Sequence, residues 1–177
     1  MLGTIERGVD QGSDLVIPAV PGEFYGYSAE FTNERPLYAL MKCKANKSRP
    51  LADAGKLGRE ANLLFLFGES GQAQVCAVDM AQASGLLTGV ADENPFGKTW
   101  IAVAGITVEQ FGEIRSHRDV ASLVGVCRAA CSKRETSSAL GPDTVIAIMT
   151  DDGKFGLFFI KEFAQSSIHV EACHILL

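Results

Sequence analysis

Apolar and polar positions alternate in short blocks along this chain, and the blocks recur in a similar order in its two halves. In the second half, VIAIMT and KFGLFFI are apolar runs on either side of Asp152-Gly153. That dipeptide predicts a β-hairpin with a type I′ turn, because both central residues tolerate positive φ. A strand over residues 168–176 follows the hairpin, and another over 99–104 opens the half. Between them Val120, Leu123, Val124, Cys127 and Cys131 recur at helical spacing behind Asp119, a good N-cap. A shorter helical turn over 108–115 precedes that helix. The order is β-α-β-β-β.

The first half repeats the layout at an offset of about 82–86 residues, with NLLFLFGESGQAQVCAVDMAQ (from Asn62) matching TVIAIMTDDGKFGLFFIKEFAQ (from Thr144). Upstream, RPLYALMKCKANKSR (from Arg35) matches RDVASLVGVCRAACSKR (from Arg118). Pro36 suits a first helical position, and Leu37, Leu40, Met41 and the stem of Lys44 make one buried stripe. A first strand over 15–20, a turn at Glu69-Ser70-Gly71 and a weak third strand over 85–90 complete the half. Residues 45–60, with Pro50, Gly55 and Gly58, read as a loop, and ADENPFGK marks the boundary. The expected fold is therefore α+β: two similar βαβββ halves, 1–92 and 93–177, with mainly antiparallel sheet in a pseudo-twofold arrangement. The strongly apolar stretch AIMTDDGKFGLFF (147–159) of the hairpin should be central or lie at a subunit interface, since so apolar an exposed edge invites aggregation; a homo-oligomer is the expected state.

Length and composition sharpen this modestly. The 177 residues, 47% hydrophobic and 21% charged, suit one sizeable core or two lobes sharing one. A net charge of −5 argues against a nucleic-acid binder that works by overall charge. No apolar run approaches the roughly 20 residues of a membrane-spanning helix, and the polar, acidic opening residues do not read as a signal peptide. Five cysteines, an odd number without CxxC spacing, sit mostly in apolar patterns and read as reduced thiols in a cytoplasmic protein.

Two motifs fail on context. DENPFGKT ends like a phosphate-binding loop, but Asp92 replaces its first glycine and the next residues are strand-like, not helical. FGESGQ follows a strand as a serine-hydrolase elbow does, yet its glycine comes one residue too early and a strand follows. The duplicated βαβββ order is similar to that of the paired modules of vicinal-oxygen-chelate metalloenzymes. That is an analogy of topology alone: LVIPAV, WIAVA and SGLLTGV supply no His or Glu ligand.

Three segments carry the remaining chemistry. His169, Glu171 and Cys173 alternate along the last strand and should share one face, as acid–base groups or metal ligands, with His117 a further candidate; His174 falls on the opposite, apolar face. Lys42, Lys44, Lys47, Arg49, Lys56 and Arg59 face one acid, Asp53, in a basic segment over 42–59. It lacks the interleaved aromatics that stack bases, which argues against nucleic acid as its partner. GEFYGYSAEF concentrates Phe24, Tyr25, Tyr27 and Phe31 in an expected loop that could present rings to a ligand or partner. The expected function is a non-catalytic binding or assembly protein without a cofactor, contacting a protein or small ligand through Phe24, Tyr25, Tyr27, Phe31, Lys44, Lys47 and Arg49. The alternatives are a small enzyme using His169 and Glu171 at the seam, or an anion or nucleic-acid binder through the basic segment.

Overall fold

The computed structural model describes residues 23–39, 48–67, 73–87, 96–132, 137–141, 143–164 and 166–176. The strands are β1 (Glu23–Thr32), β2 (Leu37–Ala39), β3 (Ser48–Arg49), β4 (Ala61–Phe67), β5 (Ala73–Ala77), β6 (Thr99–Val103), β7 (Ser137–Leu140), β8 (Val145–Thr150), β9 (Lys154–Ala164) and β10 (Ser167–Leu176). The helices are α1 (Ala54–Leu57), α2 (Val78–Ala83), α3 (Val108–His117) and α4 (Val120–Ala130). The fold is α+β. Two five-stranded sheets form, a front sheet β1-β10-β9-β8-β6 and a back sheet β3-β2-β4-β5-β7, and every neighbouring pair is antiparallel.

Three apolar layers hold these elements together. Helices α3 and α4 cover the outer face of the front sheet through Phe111, Ile114, Leu123, Val124 and Cys127. The two sheets meet face to face around Phe31, Tyr38, Phe65, Ile101, Ile146 and Phe158. Short helices close the outer face of the back sheet through Ala54, Val78 and Ala81, packed with Leu37, Leu64 and Cys76. Strands of the front sheet are thus covered on both faces, so β8 and β9 read as continuous apolar runs. The 145–160 hairpin is interior to the front sheet, as its apolarity required.

Strand exchange joins the two parts of the chain. β1 completes the edge of the front sheet, otherwise built from residues beyond 98, by pairing along its whole length with β10. β7 in turn completes the back sheet by pairing with β5.

Several expectations are corrected. The aromatic segment 24–31 is not a loop but strand β1, whose alternate side chains serve two different layers. The segment after Pro36 starts as strand β2, not helix: Leu37 packs on the outer side of the back sheet and Tyr38 between the sheets, a period of two. Leu40, Met41 and Lys44 lie outside the described residues, as do 15–20 and the turn at 69–71. Residues 48–60 are not loop but β3 and successive helical turns. Gly85 ends α2 in a turn at φ 74° instead of starting a strand, and 88–90 lie outside the description. In the β8–β9 hairpin only Gly153 has positive φ (84°), and its N–H bonds the Thr150 carbonyl at 3.3 Å. That is a type I turn closed by a left-handed glycine, not a type I′ turn, and Asp151, Asp152 and Gly153 form its loop.

One polar contact crosses the apolar interior. The hydroxyls of Tyr27 on β1 and Tyr38 on β2 hydrogen-bond to each other across the two sheets. Burial, with the neighbouring tyrosine, pushes the Tyr27 hydroxyl well above its ordinary pKa, and burial does the same for Tyr38. Both hydroxyls stay protonated at neutral pH. Tyr27→Phe leaves the Tyr38 hydroxyl buried without this partner and should cost about 1–3 kcal/mol. Adding Tyr38→Phe should cost less than a second such penalty. Urea unfolding of both single variants and the double variant checks this; strictly additive losses would show that the hydroxyls do not act as a pair.

Candidate functional site

The helix-side face of the front sheet carries a cleft where α3 stands away from β1, β10 and β9. Its volume is about 560 Å³, within the range that holds small ligands. Phe24, Phe111 and Phe159 supply aromatic walls, Arg115, Arg118 and Glu171 the charges. Phe111 meets Phe159 edge to face at 5.2 Å between centroids, which fixes the rear of the cleft.

Local sequence explains how α3 aims its arginines. Thr107 and Gln110 form a capping box at its start: Gln110 N–H donates to Thr107 Oγ1 at 3.1 Å and Thr107 N–H to Gln110 Oε1 at 2.9 Å. At the other end Asp119 N–H reaches back to the Ile114 carbonyl at 3.0 Å, the long bond of a Schellman closure. The left-handed residue of that closure is Arg118 (φ 52°, ψ 44°), where glycine would be usual. A side chain there costs about 1–2 kcal/mol. The Arg118 guanidinium lies 5.8 Å from the Phe24 ring, and its Nη2 donates to the Phe24 carbonyl at 2.8 Å. These contacts, and the attraction of a cation to a helix C-terminus, offset the strain.

Arg115 lies one turn back and crosses β1 at Gly26, where an added Cβ would stand 3.1 Å from its Nε. Only a residue without a side chain lets the guanidinium lie this low. Its Nη1 donates to Glu171 Oε2 at 3.0 Å, while Lys161 Nζ donates to Glu171 Oε1 at 2.7 Å. Lys161 is the extra residue of a β-bulge, because β10 pairs His169 with Glu162 and Val170 with Ile160. One half-buried carboxylate is therefore held between two cations.

The sequence candidates distribute as follows. His169, Glu171 and Cys173 do share one strand face, opposite Glu30, Ser28 and Gly26 of β1. Glu171 lines the cleft. His169 lies outside it, half-exposed, with Nε2 3.4 Å from Glu30 Oε1. Cys173 is not solvent-facing as its alternation suggested: it is buried beneath the helices, and burial pushes its thiol up to about 12. Cys76 is likewise pushed up to about 11 by burial, so both thiols stay protonated and unreactive at neutral pH. No set of three metal-ligating side chains gathers among the described residues. His117 is exposed on the last turn of α3. His174, on the opposite face, is fully buried with Tyr25 and Tyr27 rings each 5.2 Å away.

Of the aromatic candidates, Phe24 lines the cleft and Phe31 belongs to the inter-sheet core, whereas Tyr25 and Tyr27 are partly buried toward the back sheet. In the basic segment, Arg49 pairs with Asp53 at 2.8 Å and Arg59 with Asp151 at 2.8 Å. Lys42, Lys44 and Lys47 lie outside the described residues. Arg115, Arg118, Phe111 and Phe159 were missed by sequence reasoning. The available signal was RSHRD, two arginines three apart at a helix end directly before an N-cap aspartate.

A second concavity, about 630 Å³, lies at the far end of α4 beside Trp100, Arg128, Phe155 and the β8–β9 turn. Its charges are turned to other partners: Asp151 to Arg59, and Arg128 to the Phe155 ring at 5.9 Å. Among the described residues, no helix is long and apolar enough to cross a membrane. No protein-family model matches the chain, and neither the curated proteins nor the solved structures contain a significant match.

Asp119 fixes the corner that presents Arg118. Its carboxylate accepts from Ser122 Oγ at 2.6 Å and from Ser122 N–H at 3.0 Å, and these bonds hold it below the ordinary carboxylate pKa. A depressed folded-state pKa contributes stability above the unfolded value and loses it as pH falls through the folded one. Asp119→Ala should cost about 1 kcal/mol at neutral pH and flatten the acid limb of the stability profile. Thermal midpoints between pH 7 and 2 test this; parallel profiles for the two proteins would contradict it.

Proposed function

We propose that this is a non-catalytic binding protein whose small-ligand site is the cleft between α3 and the front sheet. One observation carries the reading: aromatic rings from β1, α3 and β9 and two arginines from the end of α3 converge on a concavity of about 560 Å³. The rings, each less than a tenth exposed, form a close-packed apolar floor, and the arginines give a fixed polar end that orients a ligand. The strained backbone of Arg118 adds support, since such a conformation persists where its surroundings hold it and clusters at ligand sites.

The rival acid–base reading has less behind it. It needs His169 and Glu171 in one concavity, and only Glu171 lines the cleft. Binding through exposed tyrosines is also less supported, because Tyr25 and Tyr27 lean into the inter-sheet layer around His174. An assembly role loses one argument, since the apolar 145–160 hairpin is covered within a single chain. The unreactive, buried thiols fit a reducing, cytoplasmic setting.

We also read the strand order as an internal duplication, in a different register from the one the letters suggested. Meander β2-β4-β5 of the back sheet corresponds to β8-β9-β10 of the front sheet. In each, the last strand is flanked by the strand that precedes the other meander, β7 beside β5 and β1 beside β10.

Gly112 makes the test of the site clean. It lies on α3 in the cleft wall, and an added Cβ there meets nothing within 4 Å. Gly112→Leu should fill the cleft and stabilise the helix by about 0.5–1 kcal/mol. In ligand-observed NMR with a set of aromatic fragments, hits on the native chain should vanish with this variant. Hits that persist on a folded Gly112→Leu protein would place binding elsewhere and sink the reading.

A further inference from the structure

We infer that the ligand of this cleft is a small organic carboxylate with a flat apolar body, and that Glu171 is a built-in carboxylate with which it competes for Arg115. The inference rests on the cleft being the binding site. Two arginines, Arg115 and Arg118, and one carboxylate, Glu171, line the cleft, and Lys161 outside its lining pairs with the other oxygen of Glu171, so the site has an excess of positive charge on a chain of net charge −5. An arginine offers five donors in a planar fork matched to a carboxylate. Among the described residues, Arg115 commits Nη1 to Glu171 and Arg118 commits Nη2 to a backbone carbonyl. Donors therefore remain on both guanidiniums at the cleft edge. The aromatic walls Phe24, Phe111 and Phe159 set the shape of the rest of the ligand.

Charge number is limited by the helix. Arg115 and Arg118 sit at the C-terminal end of α3, the negative end of its dipole, so the field that favours the arginines disfavours a highly charged anion. A carboxylate monoanion fits this better than a phosphate dianion, which is usually cradled by N-terminal amides. Glu171 shows that a carboxylate is accommodated: its two oxygens already bridge Arg115 and Lys161. A ligand carboxylate entering the cleft meets Arg115 with that partner in place, so Glu171 lowers the affinity by like-charge repulsion and by occupying a donor.

The test titrates the full chain at neutral pH with three naphthalene probes, following their fluorescence anisotropy: 2-naphthoate, neutral 2-naphthamide and 2-naphthyl phosphate. Naphthoate should bind about tenfold more tightly than the amide, as one charge-assisted contact implies, and more tightly than the phosphate. Glu171→Gln should tighten naphthoate several-fold and leave the amide unchanged. Arg118→Gly should weaken naphthoate several-fold, leaving the part of its preference over the amide that Arg115 supplies, while the thermal midpoint holds or rises, because glycine relieves the left-handed strain. Two results overturn the inference and leave the cleft reading standing: amide binding equal to naphthoate, or tighter phosphate, with either lost in Gly112→Leu. A folded Glu171→Gln protein whose naphthoate affinity does not rise removes the competitor role. If none of the probes binds, or binding survives Gly112→Leu, the inference and the cleft reading fall together.

Discussion

Face-to-face packing of the two sheets is the contact on which everything else in this molecule depends. At its centre Phe31 stacks on Phe65 at 4.3 Å and on Tyr38 at 5.1 Å, while Phe158 approaches both Tyr38 and Phe65 at 6.0 Å. These rings come from β1 and β9 of the front sheet and β2 and β4 of the back sheet. Large rings in a fully desolvated layer contribute more per residue than any other part of this core. They also fix register, because a one-residue slip of β1 would turn Phe31 toward the helices and Glu30 into the apolar layer. The Tyr27–Tyr38 hydroxyl pair adds a directional constraint that rings alone do not give.

Fixing β1 by that layer also positions the cleft. Once Phe31, Ala29 and Tyr27 face the back sheet, Phe24, Gly26 and Ser28 must face the helices. Gly26 then lies beneath Arg115, and the Phe24 carbonyl lies within reach of Arg118. The inter-sheet packing and the polar edge of the cleft are two consequences of one alternating strand.

Parts of this architecture were legible in the sequence because each had a local cause. Helix α4 has Asp119 as a cap and an uninterrupted helical stripe, β8 and the first part of β9 have runs too apolar to sit anywhere but inside, and β10 alternates with period two. Strand β1 was not legible, because both of its faces are partly covered: Phe24 and Tyr25 are adjacent yet serve different layers, and Gly26 reads as a loop residue. Strand β2 misled for another reason. Pro36 and the apolar spacing after it suit a helix, and only the distant partners of Tyr38 decide for a strand. The exchange of β1 and β7 between sheets has no sequence signature, since pairing depends on which edge is open when both meanders are formed. At the site, Glu171 was found from strand alternation, whereas Arg118 was hidden because its role depends on a backbone conformation that arginine rarely adopts.

That conformation links the end of α3 to the edge of the cleft. Glycine at position 118 would close α3 without strain, and the Schellman bonds from residues 118 and 119 require no side chain. An arginine there makes sense where its guanidinium does something the cap does not need, and among the described residues its side-chain contacts reach across the cleft edge to Phe24. The same segment must then restart at once as α4, which Asp119 achieves by capping from the next residue. The chain thus places a strained cation, a cap and a helix start in consecutive positions. It holds that arrangement through α4, whose Leu123 and Cys127 are buried against the front sheet. The first part of the chain supplies Phe24 and Gly26 to this cleft and the second part supplies the rest, so the site exists only because β1 crosses to the front sheet.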